Sequence, residues 1–385
     1  MSFEHRLASI RARGADTDDL AELARLALAE GEEERALPLV EAAAQQVSDA
    51  QLWQWTGLLQ RALDEHEAAC RSLAAAARLA PADASIAHGQ AHVALEAGID
   101  ALSMFDRARR LAPGNAEVLI GQSAARMAAG RGDEAAAEIE AILAQVPLWI
   151  AGHVQLAQLK SMLGRPHEAT LSVENALATL PADAGLWRCL FDLHIGREDY
   201  SALDSALDRA RGQIGAEPLW TVYRAIAAGE RGEAERADAL FDAAASEPAL
   251  AVWHIRHLLR NRRIEEAVSL IDRELATERA AAIWPYAAIA WRLAKDSRSA
   301  WLEGDPRLVS VVDLDSAMPA LGQLAGCLRS LHVAKGEYLD QSVRGGTQTD
   351  GPVLSRIDPE IRAIRREIVS AVKSYIAQLP SMDAR

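Results

Sequence analysis

An alanine recurs at intervals of 30–35 residues along most of the chain, and this recurrence limits what the chain can fold into. Its members are Ala36, Ala69, Ala101, Ala135, Ala169, Ala202, Ala237 and Ala267. Apolar residues follow most of these alanines after four and seven positions, which places them on one face of a helix. Four of the segments end at a proline, and these are Pro81, Pro113, Pro147 and Pro181. The pattern predicts a series of similar helical units.

Each unit is predicted to contain two helices joined by a tight turn. Phrases such as AAGRGDEA and MLGRPHEA hold a glycine that ends one helix and a polar residue that begins the next. The predicted turn glycines are Gly98, Gly130, Gly164, Gly196 and Gly229. One helix pair cannot bury its apolar face alone, whereas stacked pairs build a continuous core. We therefore predict a mainly α fold, a right-handed α-solenoid of about eight helix pairs over residues 18–295, with residues 1–17 as an extension or capping helix.

The repeat resembles that of the tetratricopeptide repeat (TPR) family. That family repeats a helix, a turn and a second helix about every 34 residues. It places a small residue where the helices meet and a proline at the exit. The bulky aromatic positions of the family are mostly Leu or Ala here, so the resemblance rests on the regular register of the units. It implies a solenoid that binds a protein or a peptide.

The charge of the chain excludes two classes of partner. The net charge is −14, with 41 Lys and Arg residues against 55 Asp and Glu residues. Nucleic-acid binding needs a basic stripe, and adhesion to an anionic membrane surface needs basic residues as well. The sequence has no run of 18 apolar residues of the kind that spans a bilayer. We therefore expect a partner that is neither nucleic acid nor membrane.

The cysteines indicate a reducing compartment. Cys70, Cys189 and Cys327 are far apart and odd in number, and they form no CxxC pair. A disulfide framework or a zinc ribbon is therefore not predicted. The N-terminus lacks the apolar core of a signal peptide. We expect a cytoplasmic protein whose thiols are reduced and small enough to be buried.

Five tryptophans recur near the start of the predicted first helices. They are Trp149, Trp187, Trp220, Trp253 and Trp284, at spacings of 38, 33, 33 and 31 residues. One interpretation is an aromatic ladder that lines the binding groove of the solenoid. The other is that each tryptophan packs between neighbouring repeats, because tryptophan is a core residue of the family near that position.

Candidate metal ligands are few, and no catalytic motif is present. His88, His92 and Glu96 are spaced four residues apart on one predicted helix, which is a possible metal-binding geometry, although a polar helix face explains it equally well. His254 and His257 are three residues apart, and a solvated or partly packed face is favoured for them. The chain has no HExxH, GxSxG or GxxxxGK[ST] sequence. We assign no catalytic, cofactor-binding or metal-binding residue.

The repeat pattern ends near residue 297, and residues 296–385 are predicted to form a small α+β segment. The Val-rich run RLVSVVDL predicts a strand, and a helix is predicted near 320–334. A later helix over 359–379 begins at Asp358 as its N-cap, with Pro359 in the first helical position. Its predicted apolar face consists of Ile361, Ile364, Ile368, Val372, Tyr375 and Leu379.

The loop QSVRGGTQTDG between these helices is a candidate functional loop. The candidate functional residues of this loop are Gln341, Ser342, Arg344, Gly345, Gly346, Thr347, Gln348 and Thr349. An arginine followed by two glycines can hold an anion through its guanidinium and backbone N–H groups. A tight turn whose arginine pairs with a neighbouring carboxylate is the alternative.

The phrases AWRLAKDSRSAWLEGDP and QSVRGGTQT, with a helix ending in SYIAQLP, carry a second resemblance. They resemble proteins in which TPR units are fused to an iron(II)- and 2-oxoglutarate-dependent oxygenase (dioxygenase) domain. In that family the loop and helix open the oxygenase domain, and the catalytic core with its His-x-Asp…His iron ligands follows. The given sequence stops at Arg385, where that core is expected to begin, so no metal or co-substrate residue is carried over. Fe(II) and 2-oxoglutarate are expected only if such a core is present.

Two functions follow from these patterns. The first is a solenoid that recruits a protein substrate for an oxygenase domain of which only the N-terminal part is present, so that this chain alone is inactive. The second is a non-catalytic scaffold for protein–protein interaction. Residues 341–385 carry a net charge of +2 and the preceding residues carry −16. An acidic groove predicts a basic peptide partner, whereas acidic groups on the convex face would serve solubility instead.

Overall fold

The computed structural model describes residues 2–215, 218–314, 321–339, 341, 343 and 346–379. Across these residues the structure consists of helices joined by short connections, and no strand occurs among them. The helices in chain order are α1 (Phe3–Arg13), α2 (Thr17–Glu30), α3 (Glu33–Gln46), α4 (Ala50–Ala62), α5 (His66–Leu79), α6 (Ala84–Glu96), α7 (Leu102–Leu111), α8 (Ala116–Ala128), α9 (Gly132–Leu143), α10 (Ile150–Met162), α11 (Leu171–Thr179), α12 (Ala184–Gly196), α13 (Tyr200–Ile214), α14 (Pro218–Glu230), α15 (Ala234–Ala243), α16 (Ala251–Arg260), α17 (Ile264–Glu274), α18 (Ala280–Ala294), α19 (Ser297–Glu303), α20 (Leu321–Ser330) and α21 (Pro359–Gln378). Within the described ranges, no helix is both long and apolar enough to cross a bilayer.

Helices α2 to α19 form nine consecutive pairs, each with an even-numbered first helix and an odd-numbered second helix. Consecutive helices pack against each other along the whole series, which is the architecture of a TPR-like solenoid. The predicted fold class is therefore confirmed for the repeat region. The last pair, α18 and α19, extends the array to Glu303, beyond the predicted end at residue 295. The alanine spacing did not predict this extension, since α19 is a short helix without a member of the alanine series.

The alanine register marks the contacts between helices. Seven of the eight recurring alanines are buried, and Ala202 is half-buried. The residues four positions later are all buried, and they are Val40, Leu73, Phe105, Ile139, Val173, Ala206, Phe241 and Ile271. A methyl side chain lets two helix backbones approach closely, while the residue one turn later, which is larger in every unit except at Ala206, fills the space between pairs. This alternation of small and large side chains gives the solenoid its continuous core.

The turn glycines agree with the prediction at three positions and differ at two. Gly98, Gly130 and Gly164 follow first helices with φ between +73° and +78°, which is a backbone conformation that glycine adopts without strain. Gly196 is instead the last residue of α12. The prediction for Gly229 is wrong, since this residue lies inside α14 and a Cβ atom there would lie 3.4 Å from the ring of Phe241. Close packing of α14 on α15, rather than a turn, accounts for Gly229.

Helix α1 closes the N-terminal end of the solenoid. Its Phe3, Leu7 and Ile10 side chains are buried in one cluster with residues of α2 and α3. Ser2 begins the helix by accepting a hydrogen bond from the backbone N–H of His5. A terminal repeat has no neighbour on its outer side, so a helix that covers its apolar face suits this end of an array.

The region after α19 departs from the predicted α+β segment. Residues 309–314 form neither a helix nor a strand, and Val311 is 97% exposed. A strand needs a neighbouring strand for its backbone hydrogen bonds, and the described part of the chain supplies none here. The helix predicted near 320–334 ends at Ser330, and the N–H groups of Lys335 and Gly336 bond to the carbonyl oxygen of Met162 in the solenoid. Residues 315–320 lie outside the described ranges.

Helix α21 occupies the predicted range, but two expected features differ. The carboxylate of Asp358 accepts a hydrogen bond from the Arg356 side chain at 2.8 Å and makes no N-cap bond. Of the predicted apolar face only Ile361 is buried, while Val372 is 48% exposed. The helix is therefore most buried at its N-terminal end, and its C-terminal half contacts the residues after α19 through the Tyr375 hydroxyl, which donates to the carbonyl oxygen of Leu308 at 2.6 Å.

Substitution of Ala135 by Leu tests the helix register. Ala135 is fully buried in α9, so three added carbon atoms should overpack the helix contact and cost about 1–3 kcal/mol of unfolding free energy. Ala141, which is exposed on the same helix, provides the matched control, and Ala141→Leu should stay within about 0.5 kcal/mol. Urea denaturation of both variants measures the difference. Equal midpoints for the two would show that Ala135 does not mark the contact.

Candidate protein-binding surface

The C-terminal part of the chain folds back onto the solenoid. We call residues 331–358 the strap. At its first anchor, the backbone N–H of Lys335 donates to the carbonyl oxygen of Met162 at 2.7 Å, and the Ser161 hydroxyl donates to the carbonyl oxygen of Glu337 at 2.6 Å. Gly336 approaches so closely that a Cβ atom there would collide with the Ser161 carbonyl oxygen. This anchor lies at the C-terminal end of α10.

The second anchor lies at the C-terminal end of α6. The backbone N–H of Ile357 donates to the carbonyl oxygen of Ala97 at 3.1 Å. The guanidinium of Arg356 lies against Gly98, where any side chain would collide with it. The last carbonyl groups of a helix have no partner inside the helix. The strap supplies such partners at two first helices, and it crosses the intervening helix α8 between them.

Part of the candidate loop lies on this crossing. Thr347 Oγ1 is 3.3 Å from Nδ1 of His332, and Gln348 and Thr349 face a cavity of about 360 Å³. Gln341 also borders this cavity, and Gly346 is exposed. Ser342, Arg344 and Gly345 lie outside the described residues, so the proposed anion contact of Arg344 stays a prediction.

The strap does not pack tightly over α8. The 360 Å³ cavity has a polar border that includes Gln155 and Gln158 of α10. On the other side, a cavity of about 570 Å³ lies between the strap and the small side chains Ala124, Ala125 and Ala128. Between the two anchors, the described part of the strap therefore leaves these two cavities against the solenoid, while Tyr338 and Leu339 pack against its core.

Helix α21 follows the second anchor and faces an acidic surface. We call Glu34, Asp64 and Glu67 the acidic seat. Arg362 Nη1 lies 2.8 Å from Glu67 Oε2, and Arg365 Nη2 lies 4.0 Å from Asp64 Oδ2. Glu34 borders the same cleft of about 750 Å³ between α21 and the solenoid. The charges of Arg362 and Arg365 complement those of Glu67 and Asp64, and Glu67 also pairs with Arg71 of its own helix at 3.3 Å. The helix does not fill the space beneath it.

Asp64 occupies an unfavourable position for its residue type. Its φ of +59° places it in the left-handed region, where the corresponding turns after α6 and α10 use Gly98 and Gly164. Aspartate tolerates this region better than most residues, but glycine adopts it without strain. A carboxylate directly after α4 also faces the negative end of the helix dipole. The nearby Arg365 of α21 offsets this negative charge.

Two of the five recurring tryptophans lie in the core between repeats. Trp187 and Trp220 are 2% and 3% exposed, and both rings pack near Phe191, at centroid distances of 6.2 Å and 5.9 Å. The indole N–H of Trp187 donates to the carbonyl oxygen of Pro181 at 2.9 Å. These two side chains have almost no surface to offer a partner, and their positions match the packing interpretation.

The other three tryptophans reach the surface to different degrees. Trp149 and Trp253 are half-buried, and the guanidinium of Arg256 lies 4.6 Å from the ring centre of Trp253. Trp284 is 37% exposed and lies 6.2 Å from the ring of Trp301. A contact with a partner stays a prediction for these three positions.

In the first histidine cluster, around His88, His92 and Glu96, an arginine pairs with the glutamate. Both guanidinium bonds from Arg61 to Glu96 measure 2.7 Å, and Nε2 atoms of His66 and His92 lie 3.4 Å and 3.3 Å from the same carboxylate. Burial alone would raise the pKa of Glu96, but these hydrogen bonds hold it well below its ordinary value. Burial lowers the pKa of His88, which lies 6.0 Å from the His92 ring. The cluster acts as an ion-pair network between α4, α5 and α6.

The second pair of histidines is packed. His257 is 2% exposed and its Nε2 atom lies 3.0 Å from Asp238 Oδ1. The ring of His254 stacks on Phe241 at a centroid distance of 4.6 Å. Both side chains therefore have structural partners in the core of the α14–α17 region.

The described residues do not fit the iron centre that the oxygenase resemblance implies. In the part of the chain that the structure describes, no group of three or more His, Cys, Asp or Glu side chains could hold a metal ion. A facial iron site needs three protein ligands with open positions.

Burial raises the pKa of Cys189 to about 12, so this thiol is a poor nucleophile. We derive no catalytic step through these residues.

This chain is similar to solved structures of other proteins, but only at low sequence identity. No protein-family model matches the chain, and no curated protein matches it. Among similar solved structures is YrrB, a TPR protein with an unusual peptide-binding site, at 18% identity and a TM-score of 0.37. The match covers 49% of this chain and 98% of that chain.

Two further solved structures are also similar to this chain. TTC0263, a thermophilic TPR protein of Thermus thermophilus, has 22% identity and a TM-score of 0.34, covering 46% of this chain and 98% of that chain. Yeast Tom70 has 14% identity and a TM-score of 0.46, covering 76% of this chain and 66% of that chain. At such identities and scores, these likenesses carry no argument about function. The TPR-like fold rests on the chain's own helix pairs.

The acidic seat and the strap anchors were missed by the sequence reasoning. The only signal that pointed to them was the split of charge between the acidic repeats and the basic C-terminal residues. No pattern in the sequence distinguishes Gly98, which contacts the strap, from Gly130, where an added Cβ atom would meet nothing within 4 Å.

Substitution of Gly98 by Ala tests the second anchor. The added methyl group should displace the guanidinium of Arg356, which precedes Ile357, and so weaken the bond from the Ile357 N–H to Ala97, so the Ile357 amide should exchange its hydrogen faster. Gly130→Ala is the matched control, because its φ of +73° imposes the same backbone strain without a collision. Hydrogen exchange measured for both variants separates the two effects. Equal protection of Ile357 in the two variants would contradict this anchor.

Proposed function

We propose that this chain is a protein-interaction scaffold whose solenoid binds polypeptide segments rich in Lys and Arg. The observation that carries the proposal is that the solenoid already holds a polypeptide. The strap bonds through its backbone to the ends of α6 and α10, and a basic helix follows it onto an acidic surface. Backbone hydrogen bonds provide binding without demanding one sequence, and charge provides selectivity.

The sign of the partner's charge follows from the distribution of charge. The residues before the candidate loop carry a net charge of −16. Such a field raises the local concentration of basic segments and speeds their encounter. The separated cysteines favour a cytoplasmic location for this activity. The acidic net charge disfavours nucleic acid and anionic membrane surfaces as partners.

Recruitment of a substrate for an iron(II)/2-oxoglutarate oxygenase is an extension of this proposal. It rests on the resemblance of AWRLAKDSRSAWLEGDP, QSVRGGTQTDG and the helix ending in SYIAQLP, of which QSVRGGTQTDG is the specific part, and the similar solved structures add nothing to it. The scaffold function needs no such domain, and it is therefore the main proposal.

Selection from a random peptide library tests the charge preference. A phage-displayed library of random peptides, selected on the immobilised full chain at low salt, should become enriched in Lys and Arg. Binding of the selected peptides should weaken clearly between 0.1 M and 1 M salt, because the screening length falls from about 10 Å to about 3 Å. Selected peptides without excess positive charge, or with salt-independent binding, would contradict the proposal.

A further inference from the structure

We propose that the acidic seat is the docking surface for a basic amphipathic helix, and that α21 occupies it in cis until a partner displaces it. This inference rests on the proposed scaffold function and adds the location of the surface and its regulation. The seat consists of Glu34 on α3, Asp64 in the turn after α4, and Glu67 on α5. It therefore belongs to the first two helix pairs.

The seat is shaped for a cationic helix. Arg362 and Arg365 are three residues apart, so they project from one face of α21 towards Glu67 and Asp64. Asp64 carries its carboxylate in a left-handed turn and at a helix C-terminus, both of which are unfavourable for it locally. Glu198, Arg262 and Lys295 adopt the same left-handed conformation in the corresponding turns after α12, α16 and α18, so it is the facing Arg365 that distinguishes Asp64.

The contact between α21 and the acidic seat is weak enough for α21 to dissociate from it. In the pair of Arg362 and Glu67 the side chains are 53% and 45% exposed, so the interaction is strongly screened by water and salt. A cleft of about 750 Å³ remains between α21 and the seat, and of the helix's apolar residues only Ile361 is fully buried. Helix α21 thus contacts the seat without filling it.

The second half of the helix also exposes apolar side chains, of which Val369 borders the cleft over the seat. Val369, Val372, Ile376 and Leu379 are between 36% and 57% exposed and lie on the same face as Arg362 and Arg365. A helix with basic residues in its first half and apolar residues in its second half can therefore contact the acidic seat and a second surface. A partner helix of the same chemistry, with more apolar contact to the cleft, would compete with α21.

Competition predicts opposite effects for substitutions on the two sides of the contact. The probe is a fluorescein-labelled synthetic peptide of residues 356–379, titrated into the full chain at low salt. In the native protein the tethered α21 competes at an effective concentration of about millimolar, so probe binding should be weak. Arg362→Glu with Arg365→Glu repels α21 from the seat and should tighten probe binding by about tenfold or more, because the free fraction of the seat rises.

Substitution of the seat should have the reverse effect. Adding Asp64→Gly and Glu67→Gln to the helix variant removes both carboxylates, and glycine also relieves the strained turn, so loss of folding is not expected. Probe binding should then be lost. Arg110→Glu with Arg211→Glu is the charge-matched control at exposed positions on α7 and α13, and it should leave probe binding as weak as in the native protein.

Two outcomes of the probe titration would overturn the inference. One is a helix variant that binds the probe no better than the charge-matched control, and the other is probe binding that survives in the seat variant. Thermal denaturation of all variants identifies any that fail to fold. Library-selected peptides that still bind the seat variant would leave the scaffold proposal standing and overturn the seat. If the labelled peptide binds as predicted but the phage library yields no basic peptides, the acidic seat is supported and the scaffold proposal is contradicted.

Discussion

The close contact of helices at a buried alanine is the interaction on which the rest of this structure depends. Because Ala69, Ala101, Ala135 and their equivalents are small, each helix pair stacks on the next at a regular interval. The stacking places the ends of the first helices along one side of the array. Those ends carry carbonyl groups that lack partners within their helices. The strap bonds to two of them, at Ala97 and Met162, so the surface that holds the C-terminal segment is a consequence of the repeat.

The same regularity sets how much of the molecule could be predicted from its sequence. The helix pairs were predictable because every unit repeats the same contact, and α21 was predictable because Pro359 and a regular apolar spacing mark it. The region between them was not, because its backbone groups bond to residues far away in the chain, as Lys335 does to Met162. The predicted strand at RLVSVVDL failed for a related reason, since β propensity cannot supply a partner strand.

Charge gave the one correct indication of where the C-terminal segment goes. The excess of negative charge lies in the repeats, and the basic residues of α21 face part of it at Asp64 and Glu67. Net charge can indicate that two segments attract each other, but it cannot identify the residues that meet. Two of the recurring tryptophans, Trp187 and Trp220, illustrate the same limit, because their spacing did not reveal whether they face a partner or the core.

The central claim is that the strap and α21 lie on the solenoid in solution. Paramagnetic relaxation enhancement tests it most directly, with a nitroxide label at Arg71→Cys in a chain whose three native cysteines are replaced by alanine. Arg71 borders the cleft beneath α21, so at low salt the label should broaden the amide signals of residues 359–369, and high salt should relieve the broadening. A label at Arg211→Cys on α13 should leave these signals sharp. Sharp signals for residues 359–369 at low salt with the label at position 71 would contradict the account.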